Sequence, residues 1–143
     1  MNRIIIARNR LHEARGLPVV LDAAYDAFET IRSVLREHDN PADAMFVPFV
    51  MSATAAANAR DAIGFAPSLP PHRLGRAHAP GDHPQPEVSA GELAGAVAGL
   101  SQLIAGKLAQ AASSVPGIRD RAACADACQD ARDIHVLLTG TGP

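Results

Sequence analysis

The chain has 143 residues, the size of one domain with a single hydrophobic core, and a formal charge of −2 that gives no general attraction to nucleic acid or to an anionic membrane surface. No apolar run approaches the roughly 20 residues needed to span a bilayer. The apolar segment Ile4 to Ile6 ends at Arg8, short of the roughly 7 to 15 residues of a signal-peptide core, so a cytoplasmic protein is expected.

Residues 1–16 carry Arg3, Arg8, Arg10 and Arg15 against Glu13, a local charge of +3 that leaves −5 for the remainder. This reads as a basic N-terminal arm that docks onto its own acidic body or grips an acidic partner. From 18 to 38, Leu21, Ala24, Phe28, Ile31 and Leu35 follow an alternating three-and-four spacing, with Val20, Ala27 and Val34 beside them. That spacing predicts an amphipathic helix, with acids (Asp22, Asp26, Glu29) early and bases (Arg32, Arg36) late, as the helix dipole favours.

Asn40-Pro41 predicts an immediate restart into a second helix, because Asn can cap and Pro is accepted in a first turn. The run from Met45 to Ala57 is apolar on nearly every side, which places this helix centrally in the core, with Pro48 removing one backbone hydrogen bond and kinking its first turns, so that the regular part starts near residue 48. Gly64 is a natural stop. Residues 64–88 hold six of the eleven prolines, together with His72, His78, Asp82 and His83, and form a connection that no helix can cross.

Ser89 and Glu92 have the spacing of a capping box and open a third helix, with Leu93, Val97, Leu100, Ile104, Leu108 and Ala111 as its core stripe. Gly91, Gly95 and Gly99, with Gly106 beyond, form a second face that either admits a close helix partner or reflects base composition. A turn at 113–117 leads to a fourth helix over 118–138, with Cys124, Ala127, Ala131, Ile134 and Leu138 inward. The tail 139–143 is expected to fray. All five aromatic residues lie in the first half, so the second pair of helices needs the first to complete a core. The expected architecture is a single all-α domain: a four-helix bundle of two antiparallel helical hairpins, 17–63 and 89–138, joined by a long Pro/His-rich connection.

Three groups of residues could carry chemistry. Cys124, Cys128 and His135 lie near one face of the fourth helix, with donor types suited to zinc or copper. A structural zinc site wants four ligands, so two small core cysteines and a boundary histidine are the plainer reading. Ser52, Thr54, Asn58 and Asp61 give the second helix a polar thread that could line a ligand pocket or simply satisfy nearby polar groups. Arg32, Ser33 and His38 resemble the Arg-x(4–6)-His element of HEPN-type helical ribonucleases, a family in which the arginine and histidine are associated with RNA cleavage; here the pair sits in the first helix rather than late in the bundle. No phosphate loop, GxSxG or HExxH motif is present.

The run Leu17 to Pro71, LPVVLDAAYDAFETIRSVLREHDN through DAIGFAPSLPP, resembles small uncharacterised helical proteins of high-GC actinobacteria. That resemblance implies a cytoplasmic bacterial setting and brings no activity, cofactor or catalytic residue. The chain therefore reads as a non-enzymatic interaction or regulatory bundle without a cofactor, acting as a homodimer through a face such as Gly91, Gly95 and Gly99. A bundle that binds a small ligand or a metal is the alternative, and a HEPN-like ribonuclease the third.

Overall fold

The computed structural model describes residues 1–38, 40–70, 88–114 and 117–140. Among them all regular structure is helical: α1 Asn2–Glu13, α2 Leu17–Glu37, α3 Phe46–Gly64, α4 Ala90–Ser113 and α5 Ile118–Thr139. No helix of the described residues is long and apolar enough to cross a membrane. The histidines at 72, 78 and 83 and most of the proline-rich connection lie outside the described residues.

The all-α expectation holds, with five helices where four were expected, because the basic arm is itself a helix. Ile4, Ala7 and Leu11 recur at helical spacing and are buried, a stripe that the intervening arginines hide in the sequence. The arginines on its flanks meet the acids of α2. Arg10 pairs with Asp22 and Asp26, and Arg3 pairs with Glu37. Burial works to lower the Arg10 pKa, but the hydrogen bond and charge of Asp26, with Asp22 behind them, outweigh it and leave it raised. Lys107 of α4 reaches the carbonyls of His12 and Ala14, each at 3.4 Å, at the far end of α1. The turn into α2 passes through Gly16 at φ +82°, which a side chain would strain.

α2 buries its whole predicted stripe, from Leu21 to Leu35. α3 does not restart at Pro41 but begins at Phe46, close to the expected regular start near residue 48. Residues 41–45 are turns, in which Asn40 Oδ1 accepts from the Ala42 amide at 3.1 Å and Asp43 Oδ1 from the Met45 amide at 2.8 Å. These side chains compete for the backbone and hold it out of a helix. Starting at Phe46 puts Pro48 inside the first turn, where its amide would have had no intrahelical partner. The expected loss of a hydrogen bond therefore does not arise. α4 opens as predicted, with Ser89 Oγ accepting from the Glu92 amide at 3.1 Å. α5 ends on Gly140 at φ +67°, a left-handed cap.

The packing pairs are α1 with α2 and α4, α2 with α3 and α4, and α5 with α3 and α4. They close a circuit α2–α3–α5–α4, with α1 lying across the outside of α2 and α4. Cross-helix contacts set directions within it. Cys128 bonds to the Ala105 carbonyl and His135 to the Ala98 carbonyl, so α5 advances as α4 recedes. Arg60 pairs with Glu29, and a Cβ on Gly64 would stand 3.9 Å from Tyr25, so α3 and α2 are opposed in the same way. Beyond α3 the chain stays on the body as far as residue 70. Ala66 is buried, and Ser68 donates from its amide and its hydroxyl to Asp120 at 3.0 and 2.7 Å.

Because α1 joins the common core through Leu11, which is fully buried, Leu11→Ala should lower the global unfolding free energy by about 2 to 5 kcal/mol. Urea denaturation followed by circular dichroism checks this. An effect below about 1 kcal/mol would mean that α1 is an appendage rather than part of the cooperative unit.

Candidate functional site

α3 is the element whose sequence and position disagree. Its residues are apolar on nearly every side, the pattern of a fully surrounded helix, yet it packs on α2 and α5 at the rim of the circuit. It is not central, because α1 and α4 lie on the opposite side of the core. Phe49, Ser52, Ala53, Ala56, Ala59 and Ile63 face inward. Val47, Val50 and Met51 remain exposed at 59%, 46% and 51%, and Phe65, at the far end, is 77% exposed. Thr54, Asn58 and Asp61 continue the same outer stripe with polar groups.

One flank of this stripe is basic. Between α2 and α3 runs a groove of about 360 Å³ with Leu35, Phe46, Phe49 and Val50 in its walls and Arg32 and Arg36 along one side. Among the described residues neither arginine takes part in an ion pair, whereas Arg3, Arg10 and Arg60 all do. The other flank is acidic. Cys128 and His135 turn one side of α5 to α4, and helical geometry puts partly buried Asp130 on the other side, toward α3, with Asp126 and Asp133 exposed just outside it. None of the three forms an ion pair among the described residues; Asp133 accepts from Gln129 at 3.0 Å. Half-burial, then the charges of Asp133 and Asp126, pushes the Asp130 carboxyl above its ordinary value.

The polar thread does not converge. Ser52 is fully buried, and its hydroxyl has no hydrogen-bond partner among the described residues. Thr54 lines the α2–α3 groove with its hydroxyl donating to the Val50 carbonyl at 3.1 Å. Asn58 is exposed, and Asp61 is held by Arg60. Helical rotation separates Ser52 from the other three, so the residues spaced along the sequence as a thread do not line one pocket.

The metal candidates also part. Cys128 donates to the Ala105 carbonyl at 3.4 Å and His135 Nδ1 to the Ala98 carbonyl at 3.3 Å, so both serve the α4–α5 contact. Among the described residues no three His, Cys, Asp or Glu side chains are placed to hold a metal ion. Burial, followed by the charge of Asp120 and by Cys128, pushes the Cys124 thiol up to about 11, away from the thiolate that metals bind. Arg32 lines the groove but His38 does not; its Nδ1 donates to the Val34 carbonyl of its own helix at 3.2 Å.

The glycine face makes no close helix contact among the described residues. Gly91, Gly95 and Gly99 are exposed, and a Cβ added at any of them meets nothing within 4 Å. Gly95 and Gly99 line a shallow hollow between α4 and α1 that also takes in Arg8 and His12.

No known family, curated protein or solved structure matches the chain.

The residues that the sequence reading passed over are Val47, Val50 and Met51 with the two charged flanks. Their signal was present. Asp126, Asp130 and Asp133 recur at helical spacing, and a helix apolar all round needs neighbours on every side.

The displaced Cys124 thiol gives a signed prediction. An unfolded chain ionises this group near its ordinary 9.0, and the folded chain does so only near 11. Its contribution is therefore complete below pH 9 and is lost as pH rises from there toward 11, because only the unfolded state releases the proton. The urea midpoint should fall between pH 8 and pH 10, and fall less steeply in Cys124→Ala. Equal slopes in the two proteins would contradict the assignment.

Proposed function

We propose that this chain is a non-enzymatic interaction protein of the bacterial cytoplasm. In this reading α2 to α5 form a four-helix bundle of two antiparallel hairpins, braced by α1, that works as a homodimer through the outer face of α3. The observation that carries it is the bare side of an all-round apolar helix, Val47, Val50 and Met51. Isolated exposed apolar residues are ordinary; three on one helical stripe, beside an apolar groove, form a patch. The charge on its two sides selects the occupant. A basic flank without ion pairs and an acidic flank without ion pairs are complementary to each other, so a second copy of the same chain supplies what each flank lacks.

The expected association is modest. Completing the burial of side chains already half covered recovers on the order of 1 kcal/mol each, and association must first offset lost rigid-body freedom. A dissociation constant in the range of about 1 to 100 µM follows from that scale. Exposed Gly91, Gly95 and Gly99 have no side chains to bury and are the weaker candidate for the contact.

Sedimentation velocity of the full chain at concentrations across this range tests the reading. Wild type should move from monomer to dimer. Val50→Glu/Met51→Glu should weaken association by at least about tenfold, or about 1.4 kcal/mol, with helix content unchanged. A wild type that stays monomeric throughout, or a double variant that dimerises as wild type does, would overturn it.

A further inference from the structure

The flanks also fix how two such copies face each other, an inference that rests on the α3 contact just proposed. Two copies meeting face to face are related by a two-fold axis lying in the contact plane, and two orientations of that axis are distinct. With the axis across α3, each copy's α2 flank meets the partner's α2 flank, so Arg32 and Arg36 oppose the partner's Arg32 and Arg36, and acids oppose acids. With the axis along α3, left and right exchange, and the α2 flank of each copy meets the α5 flank of the other. Like charges placed directly opposite are unfavourable, which leaves the second orientation.

The levels of the charges along the bundle agree with it. Arg60 pairs with Glu29, so in the opposed α2–α3 register Arg32 stands level with Ala57 and Arg36 with Ala53. On the other side Ser68 is bonded to Asp120. Ser68 lies four residues beyond the end of α3 and Asp120 in the first turn of α5, so α5 runs opposite to α3 and carries Asp130 and Asp133 alongside its middle turns. The basic and acidic pairs therefore both flank the middle of α3, from opposite sides. A rotation about an axis along α3 keeps that level while exchanging the sides. Asp61, which would face its own counterpart at the polar end of the stripe, is held by Arg60.

We infer that two copies associate with their α3 helices parallel about a two-fold axis along the Val47–Met51–Thr54 stripe, each copy's Arg32 and Arg36 set against the partner's Asp130 and Asp133. Each apolar stripe residue then meets its own counterpart, and both charged flanks of both copies gain an opposite charge. The same arrangement encloses the mouth of the α2–α3 groove, where Val50 and Thr54 lie beside the arginines.

Charge exchange tests this arrangement separately from the surface itself. Arg32→Glu/Arg36→Glu makes a copy acidic on both flanks, and Asp130→Arg/Asp133→Arg makes a copy basic on both. Each alone should self-associate at least tenfold more weakly than wild type in sedimentation equilibrium. An equimolar mixture should form a heterodimer at least as tightly as wild type forms its homodimer, with affinity falling as salt rises. Circular dichroism of each variant confirms that the fold is kept. If both variants dimerise like wild type while Val50→Glu/Met51→Glu does not, the α3 contact stands and the pairing of flanks is wrong. If the variants lose association and the mixture does not restore it, the pairing is likewise wrong. A wild type that never dimerises removes both proposals.

Discussion

The structure depends on one imbalance: α3 carries apolar side chains around nearly its whole circumference and, among the described residues, has helical neighbours on only part of it. α2 and α5 flank it, and the core lies behind it. An apolar stripe facing water lowers nothing in the free energy of a monomer, and covering it is favourable at about 25 cal/mol per Å². The opposite seam of the same circuit shows the contrast. There α1 lies over α2 and α4, inserts Ile4, Ala7 and Leu11, and ties itself down through Arg3 and Arg10 to acids of α2. Among the described residues no helix covers the outer face of α3 in the same way.

Charge follows the same division. The basic side chains Arg3, Arg10 and Arg60 each have carboxylates within the chain. Arg32 and Arg36 stand on the α3 side of α2, and Asp130 on the α3 side of α5, with Asp126 and Asp133 exposed just outside it. The raised Asp130 carboxyl records three acids crowded at a partly desolvated position without a nearby cation. The ion pairs of the described residues lie at the α1–α2 and α2–α3 contacts, and Arg32, Arg36 and Asp130 beside the bare stripe take no part in them. Exposed ion pairs contribute little on their own, and in the proposed dimer their use is to fix orientation rather than to supply affinity.

Much of the local structure was legible in the residues. The stripe of α2, the Ser89 cap and core stripe of α4, and the inward face of α5 follow directly from spacing, because a side chain's angle on a helix is set by its position. Two elements were missed for identifiable reasons. α1 was taken as an arm because Arg3, Arg8 and Arg10 interrupt a stripe of only three large or medium apolar residues, and their partners on α2 are invisible until the fold is known. The restart at Pro41 does not occur, because Asn40 and Asp43 can cap a helix or make side-chain turns with equal ease and the choice is tertiary, while the regular start near Pro48 does follow from the residues. α3 was given a central place because apolarity all round signals covering on every side without saying whether the cover belongs to the same chain. The candidate site suffered most. Spacing brought Cys124, Cys128 and His135 near one face, but α4 offers backbone carbonyls to two of them, and burial keeps the third a neutral thiol. The α3 stripe can be read for its polar residues or its apolar ones; the polar ones share no pocket, and the apolar ones Val47, Val50 and Met51 are exposed.

The central claim, that the outer face of α3 is covered by a second copy, is most directly tested by isotope-filtered NMR on a mixture of methyl-labelled and unlabelled full-length chains near millimolar concentration. The account predicts intermolecular cross-peaks from the methyl groups of Val47, Val50 and Met51, including contact between Met51 and the partner's Met51. Intermolecular cross-peaks confined to α4 around Gly91, Gly95 and Gly99, or none at a concentration where sedimentation shows a dimer, would contradict it.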